Sequence, residues 1–155
     1  MASDIYSGIS SGREHLTMKY ENTAPPDEEE YMAALLAARR RDVENGYSTV
    51  GVHRDDLKLS LNDLDARAFG SQGQQRSIAL SLKLAEGFLL REELGENPVF
   101  LLDDVMSELD TARQDYILNQ VTDVQVFITC CDPATVGALK NGRSFKLEAG
   151  SIVRE

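Results

Sequence analysis

The hydrophobic and polar positions change period several times along the chain. His15 to Tyr20 alternates as a strand does. Ala24-Pro25-Pro26 breaks the pattern, and Asp27 with Glu30 has the form of a capping box opening a helix. That helix is expected to run to about Asn45, with Tyr31, Ala34, Leu35 and Ala38 on one face and Gly46 as its stop. Leu57 to Leu61 places three leucines on one face of a strand, and after the Asn62-Asp63 turn Leu64 to Phe69 is expected to return as a second. A polar, glycine-bearing segment follows from Gly70 to Arg76. Then Ile78, Leu82, Ala85 and Leu89, widened by Leu80, Leu84 and Phe88, mark a helix to about Leu94 that is buried on much of its circumference.

Val99 to Leu102 and Val124 to Thr129 are short apolar runs of the kind buried on both faces of a sheet. A helix is expected between them from Thr111 to Gln120, and strand, helix, strand in this order implies a parallel α/β sheet. Asp132-Pro133 opens a short turn or helix to about Leu139. Ser144 to Leu147 and Ser151 to Val153 close the chain as a hairpin across Glu148-Ala149-Gly150.

Composition narrows the classes. The 155 residues, 42% of them apolar, can bury a sizeable core. No run approaches the roughly 18 apolar residues of a membrane span, and the first residues lack the basic-then-apolar pattern of a signal peptide. A formal charge of −10 argues against a surface devoted to nucleic acid, which requires lysine and arginine in excess. The two cysteines, Cys130 and Cys131, are adjacent, which suits neither a zinc site nor an ordinary disulfide, and the expectation is a reducing, cytoplasmic setting.

Three segments bear chemistry. Asp103 and Asp104 follow an apolar strand directly, at the end of an open α/β sheet where ligands bind. One carboxylate there can hold Mg²⁺ with its waters, and a second can orient or deprotonate an attacking water. Ser71, Gln72, Gly73 and Gln74 open a long helix, whose first N–H groups and dipole favour an anion such as phosphate. Ser107-Glu108-Leu109-Asp110 follows the carboxylates. Taken singly, the first pair reads equally as an acidic turn, and the second as a polar cap with a glycine for geometry.

Their order decides between these readings. Ser71-Gln72-Gly73-Gln74-Gln75-Arg76 resembles an ABC signature, VFLLDD (residues 99–104) a Walker B motif, and Ser107 to Asp110 a D-loop. Gly51-Val52-His53-Arg54-Asp55-Asp56-Leu57 resembles a segment that RecF-family proteins carry before the signature, usually with proline where Val52 stands. The chain thus resembles the RecF family of ABC-type ATPases over Gly51 to its end. The resemblance implies the C-terminal part of an ABC-type P-loop NTPase head, a parallel sheet flanked by helices. Residues 51–155 would be that half-head, and residues 1–50 the end of a reduced, α-helical second lobe. It implies ATP and Mg²⁺ as cofactors. Asp103 would organise Mg²⁺ and Asp104 would be the catalytic carboxylate. Ser71, Gln72, Gly73 and Gln74 would face the γ-phosphate of ATP held by the opposite subunit. Ser107 and Asp110 would link the two sites of an ATP-dependent homodimer. Thr129 and Cys130 occupy the switch position that is histidine in many ABC proteins. The implied partners are DNA at single-strand/double-strand junctions and the mediators RecO and RecR, in recombinational gap repair.

No G-x-x-x-x-G-K-[ST] occurs in the chain. The family keeps its P-loop near the N-terminus of a longer protein, so the chain reads as a C-terminal piece, inactive alone as an ATPase, with unpaired strand edges where the P-loop strand would lie. Two alternatives stay open: a non-catalytic dimerisation or binding module that completes a partner's nucleotide site in trans, and another SMC-like head. The second would require heptad repeats before the signature, which residues 1–50 do not show.

Overall fold

A computed structural model describes residues 1–153 apart from Glu108, Gln120 and Asp123. Glu108 of the D-loop-like segment and Gln120 at the expected end of a helix therefore lie outside the described residues.

The chain opens with α1 (Ala2–Ile9), for which the sequence reading gave no element. Ala2, Tyr6 and Ile9 recur on one face and are buried, Tyr6 and Ile9 completely. Strand β1 (Leu16–Glu21) follows, then α2 (Glu28–Asn45). Asp27 caps α2 by accepting the N–H groups of Glu29 and Glu30, and Gly46 ends it with a left-handed φ of 75°. Its inner face is the expected one, with Ala38 buried and Tyr31, Ala34 and Leu35 half-buried. After a 3₁₀ turn at Val52–Arg54 come β2 (Asp56–Leu61) and β3 (Leu64–Asp65).

The expected second strand from Leu64 to Phe69 is corrected here. It stops at Asp65, whose carboxylate accepts the N–H groups of Arg67 and Ala68 and so starts the short helix α3 (Ala66–Phe69). A local cap overrides the alternation of Leu64, Ala66 and Ala68. β1, β2 and β3 form an antiparallel sheet in that order, with Leu16 opposite Leu61, Met18 opposite Leu59 and Tyr20 opposite Leu57. This pairing joins a segment before residue 50 to one after it.

Helix α4 (Gln72–Leu94) is the long one, ended by Gly95 at φ 72°. It buries Ile78, Leu80, Leu84 and Ala85 as its pattern predicts, together with Ser77, Ser81 and Gly87, while Leu89 is exposed. β4 (Val99–Asp103), α5 (Thr111–Asn119) and β5 (Gln125–Thr129) make the strand–helix–strand unit, with β4 and β5 paired in parallel, Asp103 opposite Thr129. The fold is mixed α/β with a parallel sheet, as expected. The expectation that these strands are buried on both faces is corrected. Phe100 and Leu102 are buried and Val126 and Ile128 half-buried, but Val99, Leu101 and Phe127 on the other face are exposed, because the helices cover one side only. α6 (Pro133–Gly137) and the hairpin β6 (Lys146–Glu148) and β7 (Ser151–Val153) complete the chain.

Two apolar clusters hold this together. One gathers Ile9, Leu80, Leu84, Phe100, Leu102, Met106, Leu109 and Ile117. The other gathers Tyr6, Leu16, Leu61, Ala66 and Ile78 beneath the antiparallel sheet. α1 and α4 contribute to both, so each acts as a strut between the sheets. Full burial of Ile9 and Leu84 contributes on the order of 2 kcal/mol each. Phe88 meets Phe100 edge-on at 5.7 Å between ring centroids.

Candidate functional site

The carboxylate end of the parallel sheet is built by register. Because Asp103 lies opposite Thr129, the Thr129 hydroxyl donates to Asp103 Oδ1 and also accepts the backbone N–H of Asp104 at 3.0 Å. Asp104 stands at φ +49°, a left-handed conformation that aspartate tolerates better than most residues and that turns the chain sharply out of β4. Ser107 Oγ then donates to the Asp104 carbonyl at 3.1 Å. Asp103, Asp104, Ser107 and Thr129 are thus brought together at one strand end. All are exposed. Cys130 follows, half-buried and free, and Cys131 is exposed and free.

Met106, Leu109 and Asp110 of the loop beyond are each held in place. Met106 and Leu109 are buried, and Gln114 of α5 donates through Nε2 to the carbonyls of Met106 at 2.9 Å and Leu109 at 3.1 Å. Asp110 precedes α5, and its Oδ1 accepts the Arg113 N–H at 3.0 Å, the geometry of an N-cap.

The second group is the tip of α4. Ser71 is its N-cap in a reciprocal capping box: the Ser71 N–H donates to Gln74 Oε1 at 2.8 Å, and the Gln74 N–H donates to Ser71 Oγ at 3.3 Å. Gln72 and Gly73 are the first and second helical residues, so helix geometry gives their N–H groups no intrahelical acceptor. The Gln74 side chain, expected to reach phosphate, is engaged at both ends, since its Nε2 donates to Glu14 Oε1 at 2.8 Å.

Sequence reasoning missed the residue that joins these groups. Arg113 is nearly buried, with 8% of its side chain exposed. Nε donates to Asp110 Oδ2 at 3.1 Å, one terminal nitrogen to Ser77 Oγ at 2.6 Å and the Gly73 carbonyl at 3.4 Å, and the other to both Glu14 oxygens at 3.1 Å. Tyr6 donates to Glu14 Oε2 at 2.5 Å. Burial raises Glu14 toward protonation, but hydrogen bonds from Tyr6 and Gln74 and the charge of Arg113 hold its carboxyl below the usual range. Asp110, likewise raised by burial, is held low by the Arg113 N–H and guanidinium. Burial and the neighbouring Glu14 carboxylate push the Tyr6 hydroxyl well above the ordinary tyrosine range. No sequence motif signals this cluster, because Glu14 lies 99 positions from Arg113.

The RecF-like segment before β2 is a structural turn in this fold. Asp55 accepts the Thr23 N–H at 2.7 Å and the Tyr20 hydroxyl, Arg54 lies 4.7 Å over the Tyr47 ring, and His53 Nε2 is 3.0 Å from the Ser48 carbonyl.

For Mg²⁺, the oxygen-bearing side chains at the β4 end are two carboxylates, Asp103 and Asp104, and two hydroxyls, Ser107 and Thr129. Hard oxygens of this kind suit the ion when water or phosphate completes the shell. Among the described residues no group of three or more His, Cys, Asp or Glu side chains could hold a metal alone, and no helix is long and apolar enough to cross a membrane.

No family model matches the chain. It is 38% identical to the DNA replication and repair protein RecF of Clostridioides difficile (strain 630) and 40% identical to that of Bacillus subtilis (strain 168), over 99% of its own length in each case. Over 82% of its length it is 51% identical to RecF of Agathobacter rectalis. It spans 34% to 44% of the length of these relatives. Among solved structures it resembles the recombination mediator protein RecF-ATPrS in the RecFOR pathway, with a TM-score of 0.72 and 38% identity over 97% of this chain and 42% of that one. It also resembles the RecF-ATP structure, with a TM-score of 0.70 and 37% identity.

Proposed function

The chain belongs to the RecF family, matching the C-terminal portion of its members, and on that premise we propose that it supplies the signature, Walker B and D-loop half of an ATP-dependent DNA repair ATPase. The observation that carries this reading is the pairing of a capped helix tip at Ser71 with two carboxylates at the end of β4, in a chain whose solved relatives are described with ATP.

In this reading Asp103, oriented by the Thr129 hydroxyl, would hold Mg²⁺. The ion, when bound, neutralises charge on the transferring phosphoryl group. Asp104, turned out of the strand at positive φ, is the base or orienting group for the attacking water. The N–H groups of Gln72 and Gly73, with the helix dipole, would hold the γ-phosphate of a nucleotide seated on a second subunit, with Ser71 Oγ on the residue before them. Ser107 and Asp110 meet the partner across the seam. The nucleotide's primary seat, a P-loop, comes from residues outside this sequence. In this reading the whole protein acts in the cytoplasm at single-strand/double-strand DNA junctions with RecO and RecR, with ATP stabilising a homodimer; the RecFOR pathway named for the solved relatives supports the recombination-mediator part of it.

The second reading is a module that docks a P-loop partner without turnover. The exposed Leu101 and Phe127 on the bare sheet face favour docking of this kind. Titrating the chain with the N-terminal P-loop half of a RecF relative separates the two. ATP hydrolysis that appears only in the mixture, and disappears with Asp104→Asn, supports the split ATPase. Saturable binding without hydrolysis supports the module.

A further inference from the structure

The Arg113 cluster has a disposition that core packing does not require. A buried guanidinium is costly to desolvate, and apolar residues of similar volume often serve stability as well or better. Here each of its contacts lies in or beside a phosphate-facing segment. Asp110 belongs to the D-loop-like loop. Gly73 and Ser77 belong to the first turns of α4. Glu14 holds the side chain of Gln74, the N3 residue of the capping box. A planar guanidinium with fixed donor directions can serve four groups at once in a way an ammonium cannot.

We propose that Arg113 is a positioning residue that couples the Ser71–Gln74 helix tip to the Ser107–Asp110 loop, with Glu14 as its relay to Gln74. A displacement of Asp110 shifts the guanidinium, which is hydrogen-bonded to Gly73, Ser77 and Glu14, and so alters the hold on the helix tip. The relation is reciprocal, since a coupling free energy acts equally in both directions. In the reading proposed above, on which the functional meaning of this coupling rests, contact made by one subunit's loop across the seam is thereby reported to the same subunit's phosphate-facing helix end.

The test is amide hydrogen exchange of the intact chain, read residue by residue by NMR without nucleotide. Asp110→Asn keeps an oxygen to cap α5 but loses the charged contact to Arg113, at a side chain that is 52% exposed. Exchange at Gln75, Arg76 and Ser77 is expected to rise about fivefold, as local opening becomes easier, with the β1–β2 ladder unchanged. Gln74→Ala is expected to raise exchange at Gln114 in the reverse direction. Arg113→Lys, which keeps the charge and loses the fork, is expected to produce both effects. Unchanged protection at the α4 tip in Asp110→Asn would overturn the proposal. So would an equal rise across the β1–β2 ladder, which reports general destabilisation. Because no nucleotide is present, this result and the ATP turnover of the mixture with a P-loop half succeed or fail separately.

Discussion

Arg113 donates to both carboxylate oxygens of Glu14 at 3.1 Å, across a separation of 99 residues, with 8% and 16% of the two side chains exposed. The pair ties the bend between α1 and β1 to α5.

Glu14 has a folded-state pKa below its ordinary value of 4.5. A depressed carboxylate contributes stability that is fully present above the unfolded pKa and is lost as pH falls through the folded one. The thermal midpoint is therefore expected to hold from neutral pH to near 4.5 and to fall below it. Glu14→Gln is expected to cost about 2 kcal/mol at pH 7, since it leaves a nearly buried guanidinium short of a counter-charge, and to flatten the acid limb of the midpoint against pH. An unchanged acid limb in the variant would assign the acid response to other carboxylates.

Asp104 combines charge with a left-handed backbone, and two substitutions separate these. Asp104→Asn retains a residue that tolerates φ near +49° and is expected to leave denaturant midpoints nearly unchanged while abolishing turnover in the mixture with a P-loop half. Asp104→Val places a β-branched residue in that conformation and is expected to cost about 1–2 kcal/mol of stability. Urea titration of the two variants checks the split.

Gly87 sits mid-helix where a Cβ would lie 2.5 Å from Cε1 and Cζ of Phe100. A shift of the ring would alter its edge-on contact with Phe88. Gly87→Ala gains helix propensity but overpacks the core, and a net loss of about 1–3 kcal/mol is expected. A neutral or stabilising result, read by thermal unfolding, would show that the β4–α4 interface relaxes freely.

Ser71→Ala removes the hydroxyl that accepts the Gln74 N–H. A loss of about 1 kcal/mol is expected from the missing cap alone. In the reconstituted ATPase the same change is expected to weaken turnover beyond what the stability loss explains, because the helix tip is then both less fixed and without its hydroxyl.

Much of this was legible in residue order. α2 and α4 declared themselves through Asp27 and Ser71 as caps, Gly46 as the stop of the first, and a helical spacing of apolar positions. β4 and β5 were readable as apolar runs, and the carboxylates followed the first of them directly. Other features had no local signal. The exposed faces of Leu101 and Phe127 depend on what lies over the sheet, which a strand's own sequence does not encode. Residues 64–69 alternated like a strand until the Asp65 carboxylate was seen to cap Ala66–Phe69. α1 was within reach, since Ala2, Ile5, Tyr6 and Ile9 keep helical spacing, but its brevity concealed it. The Arg113 cluster was beyond reach, because its partners come from three separate stretches and only folding brings them together.

The uncovered side of the two-stranded parallel ribbon leaves Leu101 75% and Phe127 54% exposed. Water is a poor neighbour for such a surface, and chaperones and proteases are drawn to surfaces of this kind. A layer laid over those two side chains would take that surface out of water.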